Sequence, residues 1–234
     1  TFHSSYGIPL SQITLLVTFN FGFQLLVDIA SVPIIGRLGQ RVSMILAHIL
    51  AALGLVMLAF LPDLLPSPFA GILVSVMVYA VGSGLLEVLV SPMVEACPTG
   101  NKEKTMSLLH SFYCWGCVGV VLLSTVFFRF FGTENWRIAA LLWAALPIAN
   151  SLLFISAPIA PLIEDGARAM SVKELLRNKI FWLFLLMMVC AGASEQAVSQ
   201  WASALMEKGI GIPKALGDLA GPLAFSLLMG ISRV

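Results

Sequence analysis

Charge is what this chain has least of. Of 234 residues, 13 are Lys or Arg and 12 are Asp or Glu, 11% in all, against roughly 25% in ordinary soluble domains. Hydrophobic residues make up 59%, and mean hydropathy is +0.97. A soluble fold of this size could not cover its surface with so few charges. Disorder is excluded by the same numbers, because disordered chains are poor in apolar residues. A net charge of +1 leaves no basic patch large enough for nucleic acid. Cysteine is also scarce. Cys114, Cys117 and Cys190 lie inside apolar runs and Cys97 at the edge of one, which does not describe a disulfide scaffold. No His-rich metal set, Gly-x-Ser-x-Gly turn or phosphate loop is present, so neither an enzyme nor a cofactor is expected. No basic segment leading into a short apolar stretch and a small-residue cleavage site opens the chain, so no signal peptide is read.

What the chain does have is long apolar runs. A spanning helix needs about 20 mostly apolar residues. Seven segments qualify as expected spans: Ile8–Ile35, Val42–Leu61, Phe69–Met93, Met106–Phe131, Trp136–Ile155, Ile180–Leu205 and the shorter Leu216–Ile231. Breakers separate the first five: Gly36 and Gly39, then Pro62, Pro66 and Pro68, then Pro98-Thr99-Gly100-Asn101, then Gly132-Thr133-Glu134-Asn135. The fold class that follows is an all-α polytopic membrane helical bundle. The longest connection contains Ser171-Val172-Lys173-Glu174-Leu175-Leu176-Arg177, which reads as a short amphipathic helix at the membrane surface.

Lys and Arg in short loops favour the cytoplasmic side. One side carries Arg37, Arg41, Lys102, Lys104, Arg168, Lys173, Arg177 and Lys179, with Arg233 beside them; the other carries Arg129, Arg137, Lys208 and Lys214. The first set is expected in the cytoplasm and Thr1 outside. An outside start without a signal peptide suggests that one span precedes Thr1. Six helices would then come before the long cytoplasmic connection and a second set after it. Ile35-Gly36-Arg37-Leu38 and Ile231-Ser232-Arg233-Val234 are alike, which fits two related six-helix halves, a plan common among transporters. On this reading the chain is a fragment, with about five more spans downstream. Residues 1–158 are the first half without its first helix, 159–179 the cytoplasmic connection, and 180–234 the start of the second half.

Polar side chains at mid-membrane depth are costly, and functional by default. Asn20, Gln24 and Asp28 follow at i, i+4 and i+8 and share one helical face. They form either a polar stripe sealing one helix to another or one wall of a solvated path, and Asp28 could instead pair with Arg37 or Arg41. Ser83, Glu87 and Ser91 repeat that spacing, with Pro92 next. Glu87 is the most isolated carboxylate in the sequence. Burial disfavours the charged form of a carboxyl, so Glu87 can load and lose a proton; the alternative is a Glu that only ties helices together. His110, Tyr113, Cys114 and Cys117 lie roughly on one face, suited to a polar ligand at His110 and Tyr113 or to plain packing. A metal site there lacks a fourth ligand. His48 is expected to be a satisfied packing residue. Further on, Glu195 and Ser199 share a face, as do Gln196 and Gln200, with Trp201 adjacent. Amides beside an indole suit a hydroxylated ligand; alternatively Trp201 anchors the outer interface.

Two stretches carry a resemblance: Gly84-Leu85-Leu86-Glu87-Val88-Leu89-Val90-Ser91-Pro92, and Leu108-Leu109-His110-Ser111-Phe112-Tyr113-Cys114-Trp115-Gly116. A membrane Glu five residues before a Pro, then a polar-Phe-polar-Gly pattern on the next helix, resembles the major facilitator superfamily and, within it, the fucose permease-like sugar:proton symporter branch. Ala193-Ser194-Glu195 and Ser199-Gln200-Trp201 are similar to that family's seventh helix. The loop Gly36-Arg37-Leu38-Gly39-Gln40-Arg41 resembles the loop after its second helix, with Gly36 where the family usually has an acid. Ser91 stands where the branch prefers Asn, and His110 and Tyr113 where it tends to carry amides.

The resemblance implies a proton-coupled secondary transporter working by alternating access, with Glu87 holding the proton. Candidate cavity residues are Asn20, Gln24, His110, Tyr113, Glu195, Gln196, Gln200 and Trp201; Asp28, Arg37 and Arg41 belong to the cytoplasmic gating loop. The expected partners are a small polar solute such as a sugar, a proton and the lipid bilayer, for a monomer in the cell membrane. Rival readings are an export pump for drugs or metabolites, and a seven-helix receptor or scaffold without flux.

Overall fold

The computed structural model describes residues 2–161, 171–213, 216–217 and 219–233, the side chains of Ser4, Val32, Gln200 and Leu219 excepted. Every regular element among them is helical: α1 (Phe2–Tyr6), α2 (Leu10–Leu38), α3 (Gln40–Leu64), α4 (Pro68–Ala96), α5 (Lys102–Phe131), a 3-10 turn (Thr133–Asn135), α6 (Trp136–Ser156), α7 (Val172–Arg177), α8 (Lys179–Ile210), a π-helical turn (Leu219–Leu223) and α9 (Ala224–Ile231). Six helical segments among the described residues are long and apolar enough to cross a membrane, and the chain is an all-α membrane bundle.

The breaks fall partly where the sequence signals them and partly not. Gly36 does not end α2, which runs on to Leu38. The stop is Gly39, whose φ of 77° lies in the region that glycine alone enters freely; its N–H closes the helix on the Ile35 carbonyl at 2.9 Å. Pro62 is not a breaker either, since it sits inside α3 and is buried there. One lost N–H bond is tolerated in a membrane helix where neighbours pack the gap. Pro68 does mark a boundary, opening α4 behind the Ser67 cap, as its fixed φ favours. Of the expected seventh span, Leu216–Ile231, residues 216–217 and 219–231 are described, and they are helical. Pro222 lies in the π-helical turn, and Ala220–Ile231 is a short apolar helical segment among the described residues.

The chain forms two compact units. The first comprises Thr1–Pro98 and Phe127–Ala160; the second comprises Thr99–Val126 and Pro161–Val234. In the first unit α3 packs between α4 and α6, and α2 lies on α4. Lipid tails are as apolar as Leu, so helices in a membrane associate through close van der Waals contact and small residues. The α3–α4 seam shows it. A Cβ on Gly82 would lie 2.5 Å from the Ala51 nitrogen and 2.6 Å from the Ala47 oxygen; one on Gly54 would lie 2.6 Å from the Tyr79 nitrogen.

Two polar anchors fix the ends of this unit. Arg41 donates to the carbonyls of Phe154 (2.8 Å), Ile155 (2.7 Å) and Ala157 (2.8 Å), satisfying carbonyls that the end of α6 leaves open. At the other end Tyr6 donates to Asp63 at 2.8 Å. Arg137 donates to the Tyr6 hydroxyl at 2.9 Å and pairs with Asp63 at 2.6 Å. Trp136 packs edge-on against Phe2 and Tyr6. Thus α1, the end of α3 and the start of α6 are held together.

In the second unit α8 packs against the π-helical turn. Ser107 donates to the Arg233 carbonyl at 2.7 Å and Ser111 to the Gly230 carbonyl at 3.2 Å, which joins α5 to α9. The expected surface helix is α7. Its capping box pairs the Ser171 hydroxyl with the Glu174 N–H and the Glu174 carboxylate with the Ser171 N–H. Those bonds to Ser171 hold the Glu174 carboxyl below its ordinary value.

Candidate functional site

In the first unit the polar face of α2 meets α4. Gln24 donates its amide to the Ser83 hydroxyl at 2.7 Å and reaches the Glu87 carboxylate at 3.4 Å. Glu87 is therefore not the isolated acid that its own helix suggests. Asp28, one turn beyond Gln24, lies within electrostatic reach of it. A Cβ on Gly84 would come within 3.3 Å of Asp28 Oδ1 and 3.1 Å of Val27, so the bare glycine lets α2 approach α4 at this level. Asn20 Oδ1 and Asp28 Oδ1 are buried atoms without a hydrogen-bond partner. The Glu87 side chain itself is exposed on a membrane-length helix.

The pairing of Asp28 with Arg37 or Arg41 does not form. Arg41 is spent on the end of α6, and Arg37 is exposed in the last turn of α2. Among the described residues no cation neutralises Glu87 or Asp28; the ion pair present is Arg137 with Asp63. His48 is buried, bonds the Met44 carbonyl at 2.8 Å and lies against Phe154, the packing role its sequence context suggests.

The second unit holds the other candidates. Tyr113 and Cys117 lie one turn apart on α5, and Glu195 on α8 lies within electrostatic reach of both. His110 and Trp201 are exposed, and Gln196 is half-buried. Ser199 donates to the Gln196 carbonyl at 3.4 Å. Gln200 lies on α8, its side chain outside the described residues. Trp115 donates to Ser111 at 3.0 Å, so Ser111 serves packing between α5 and α9. No cluster of three His, Cys, Asp or Glu able to hold a metal occurs among the described residues.

The arrangement offers a carboxyl that can take or release a proton, a second carboxyl beside it, and amide and hydroxyl groups that both donate and accept. Such a set can bind a proton and recognise hydroxylated solutes; it presents no activated nucleophile. Sequence reasoning missed the Tyr6–Asp63–Arg137 cluster and the nearness of Asp28 to Glu87. Their members lie on different helices, so helical spacing carried no signal of either.

A family model described as Major Facilitator Superfamily matches residues 1–234. Comparison with curated proteins and with solved structures gave no significant match.

Proposed function

The chain belongs to the major facilitator superfamily, and from that premise we propose that it takes up a sugar or similar small polar solute with a proton. The coarse activity is that of the family: a multi-pass membrane protein of the secondary transporter class, not an enzyme family. The finer reading rests on one observation. Glu87, on a membrane-length helix, is held by Gln24 at 3.4 Å, and among the described residues no cation fixes its charge. A carboxyl in that setting can change protonation as its surroundings change, which is what coupling to a proton gradient requires.

In this reading the protein rocks between two access states about a site near mid-bilayer. Gln24 orients Glu87. Asn20 in the first unit, and His110, Tyr113, Glu195, Gln196, Gln200 and Trp201 in the second, are the candidate polar and aromatic contacts for the solute, and Arg37 and Arg41 serve the cytoplasmic loop. The likeness of Gly84–Pro92 and Leu108–Gly116 to the fucose permease-like branch supports a sugar as the solute. The protein acts as a monomer in the cell membrane.

Reconstituted full-length protein tests this. Glu87→Gln is expected to abolish gradient-driven accumulation while solute exchange across the membrane continues. Undiminished accumulation in that variant removes Glu87 from the coupling role. Solute-dependent alkalinisation of the medium supports uptake; resistance of cells to toxic compounds without it points to export instead.

A further inference from the structure

Asp28 deepens this reading. Sequence spacing places it near the cytoplasmic end of α2, with the basic loop, but among the described residues it has no basic partner. Its Oδ1 is buried without a hydrogen-bond partner. It sits against the bare backbone of Gly84, three residues before Glu87 on α4, and one turn after Gln24, which already contacts Glu87. A buried carboxylate oxygen with neither hydrogen bond nor cation is costly. Two carboxyls in reach of one another are costlier still when both are charged.

Other charged groups are elsewhere. On α2, Arg37 is nine residues from Asp28, about 14 Å along the helix. On α4, Tyr79 and Glu95 are each eight residues from Glu87, about 12 Å. On α3, Arg41 grips the end of α6, His48 bonds Met44, and Asp63 bonds Tyr6.

We propose that Asp28 and Glu87 form a coupled carboxyl pair that holds one proton at a time, with Gln24 orienting Glu87. A proton on either carboxyl removes the repulsion that opposes charge on the other, so that Asp28 is the second station of the coupling site. This role in coupling rests on the proton-linked uptake argued above, but the pair itself can be tested without any solute.

The test is an infrared pH titration of the full chain in lipid, following the protonated-carboxyl C=O stretch. Wild type, Asp28→Asn, Glu87→Gln and the double variant are compared. The double variant identifies the bands that belong to the pair. Asp28→Asn then gives the curve of Glu87 alone, and Glu87→Gln that of Asp28 alone. Coupled sites titrate as a pair, so the wild-type curve is expected to differ from the sum of the two single-variant curves. A wild-type curve equal to that sum overturns the proposal. If Asp28→Asn does not fold, Asp28→Ser replaces it. Asp28→Glu, which keeps the carboxyl, is expected to restore a non-additive curve. Failure of the uptake reading appears separately, as accumulation retained in Glu87→Gln, and leaves the titration result standing.

Discussion

Tyr6 shows how a single side chain records its surroundings. Burial raises its hydroxyl above the ordinary value of 10.0, and the hydrogen bond to Asp63 adds to that, while Arg137 opposes. The stabilisation from the neutral phenol is complete below a pH of about 10, the unfolded value, and disappears as pH climbs through the higher folded value. Subtracting the alkaline absorbance titration of Tyr6→Phe from that of the wild type isolates this residue. The difference is expected to ionise later than a free tyrosine, and ionisation at or below the free value contradicts the cluster. The Arg137–Asp63 pair is nearly half exposed on both sides, 44% and 46%, so its own contribution is modest, about 0.2–1 kcal/mol. Asp63→Asn also leaves Tyr6 and Arg137 without their charged partner. A loss of about 1 kcal/mol in thermal denaturation of the purified protein is expected, and no change would mean the cluster is ornamental.

At the scale of elements, the α3–α4 seam is the tightest contact. Gly82 faces backbone atoms of Ala47 and Ala51, which cannot swing aside as a flexible side chain would. Gly82→Val therefore has to separate two helices, and overpacking of this kind costs about 1–3 kcal/mol or more. Gly116 on α5 has nothing within 4 Å of its would-be Cβ. Gly116→Ala is expected to leave stability unchanged or raise it by up to about 1 kcal/mol, the helix-propensity difference. Yield of monodisperse protein and its melting temperature compare the two. Equal effects from both substitutions would refute the seam. The sequence showed glycines in both helices but not which of them face a neighbour, because lipid and a packed helix are equally apolar surroundings.

For the whole molecule, the distribution of Lys and Arg predicts Asn101 in the cytoplasm and Thr133 outside. With native cysteines replaced by alanine, an impermeant maleimide is expected to reach Asn101→Cys from the cytoplasmic side alone and Thr133→Cys from the outside alone. Labelling of both from one side contradicts a span between them. The apolar runs located the membrane helices to within a few residues, since length and hydropathy suffice to mark them. They failed at Pro62, where packing carries the helix through a weak position, and at Gly36, which α2 passes before it stops at Gly39.

Chemistry and hydropathy, both written along the chain, determined by themselves that this is an all-helical membrane protein and that Glu87 is an acid out of place. Only the tertiary structure decided what that acid meets. Gln24 reaches Glu87 and Asp28 lies against α4 because Gly84 has no side chain to keep α2 away, and Arg41 is absent because the carbonyls at the end of α6 hold it. Helical period tells which residues share a face of one helix. Which face turns toward which neighbour depends on contacts between helices distant in sequence, and those exist only once the helices have packed.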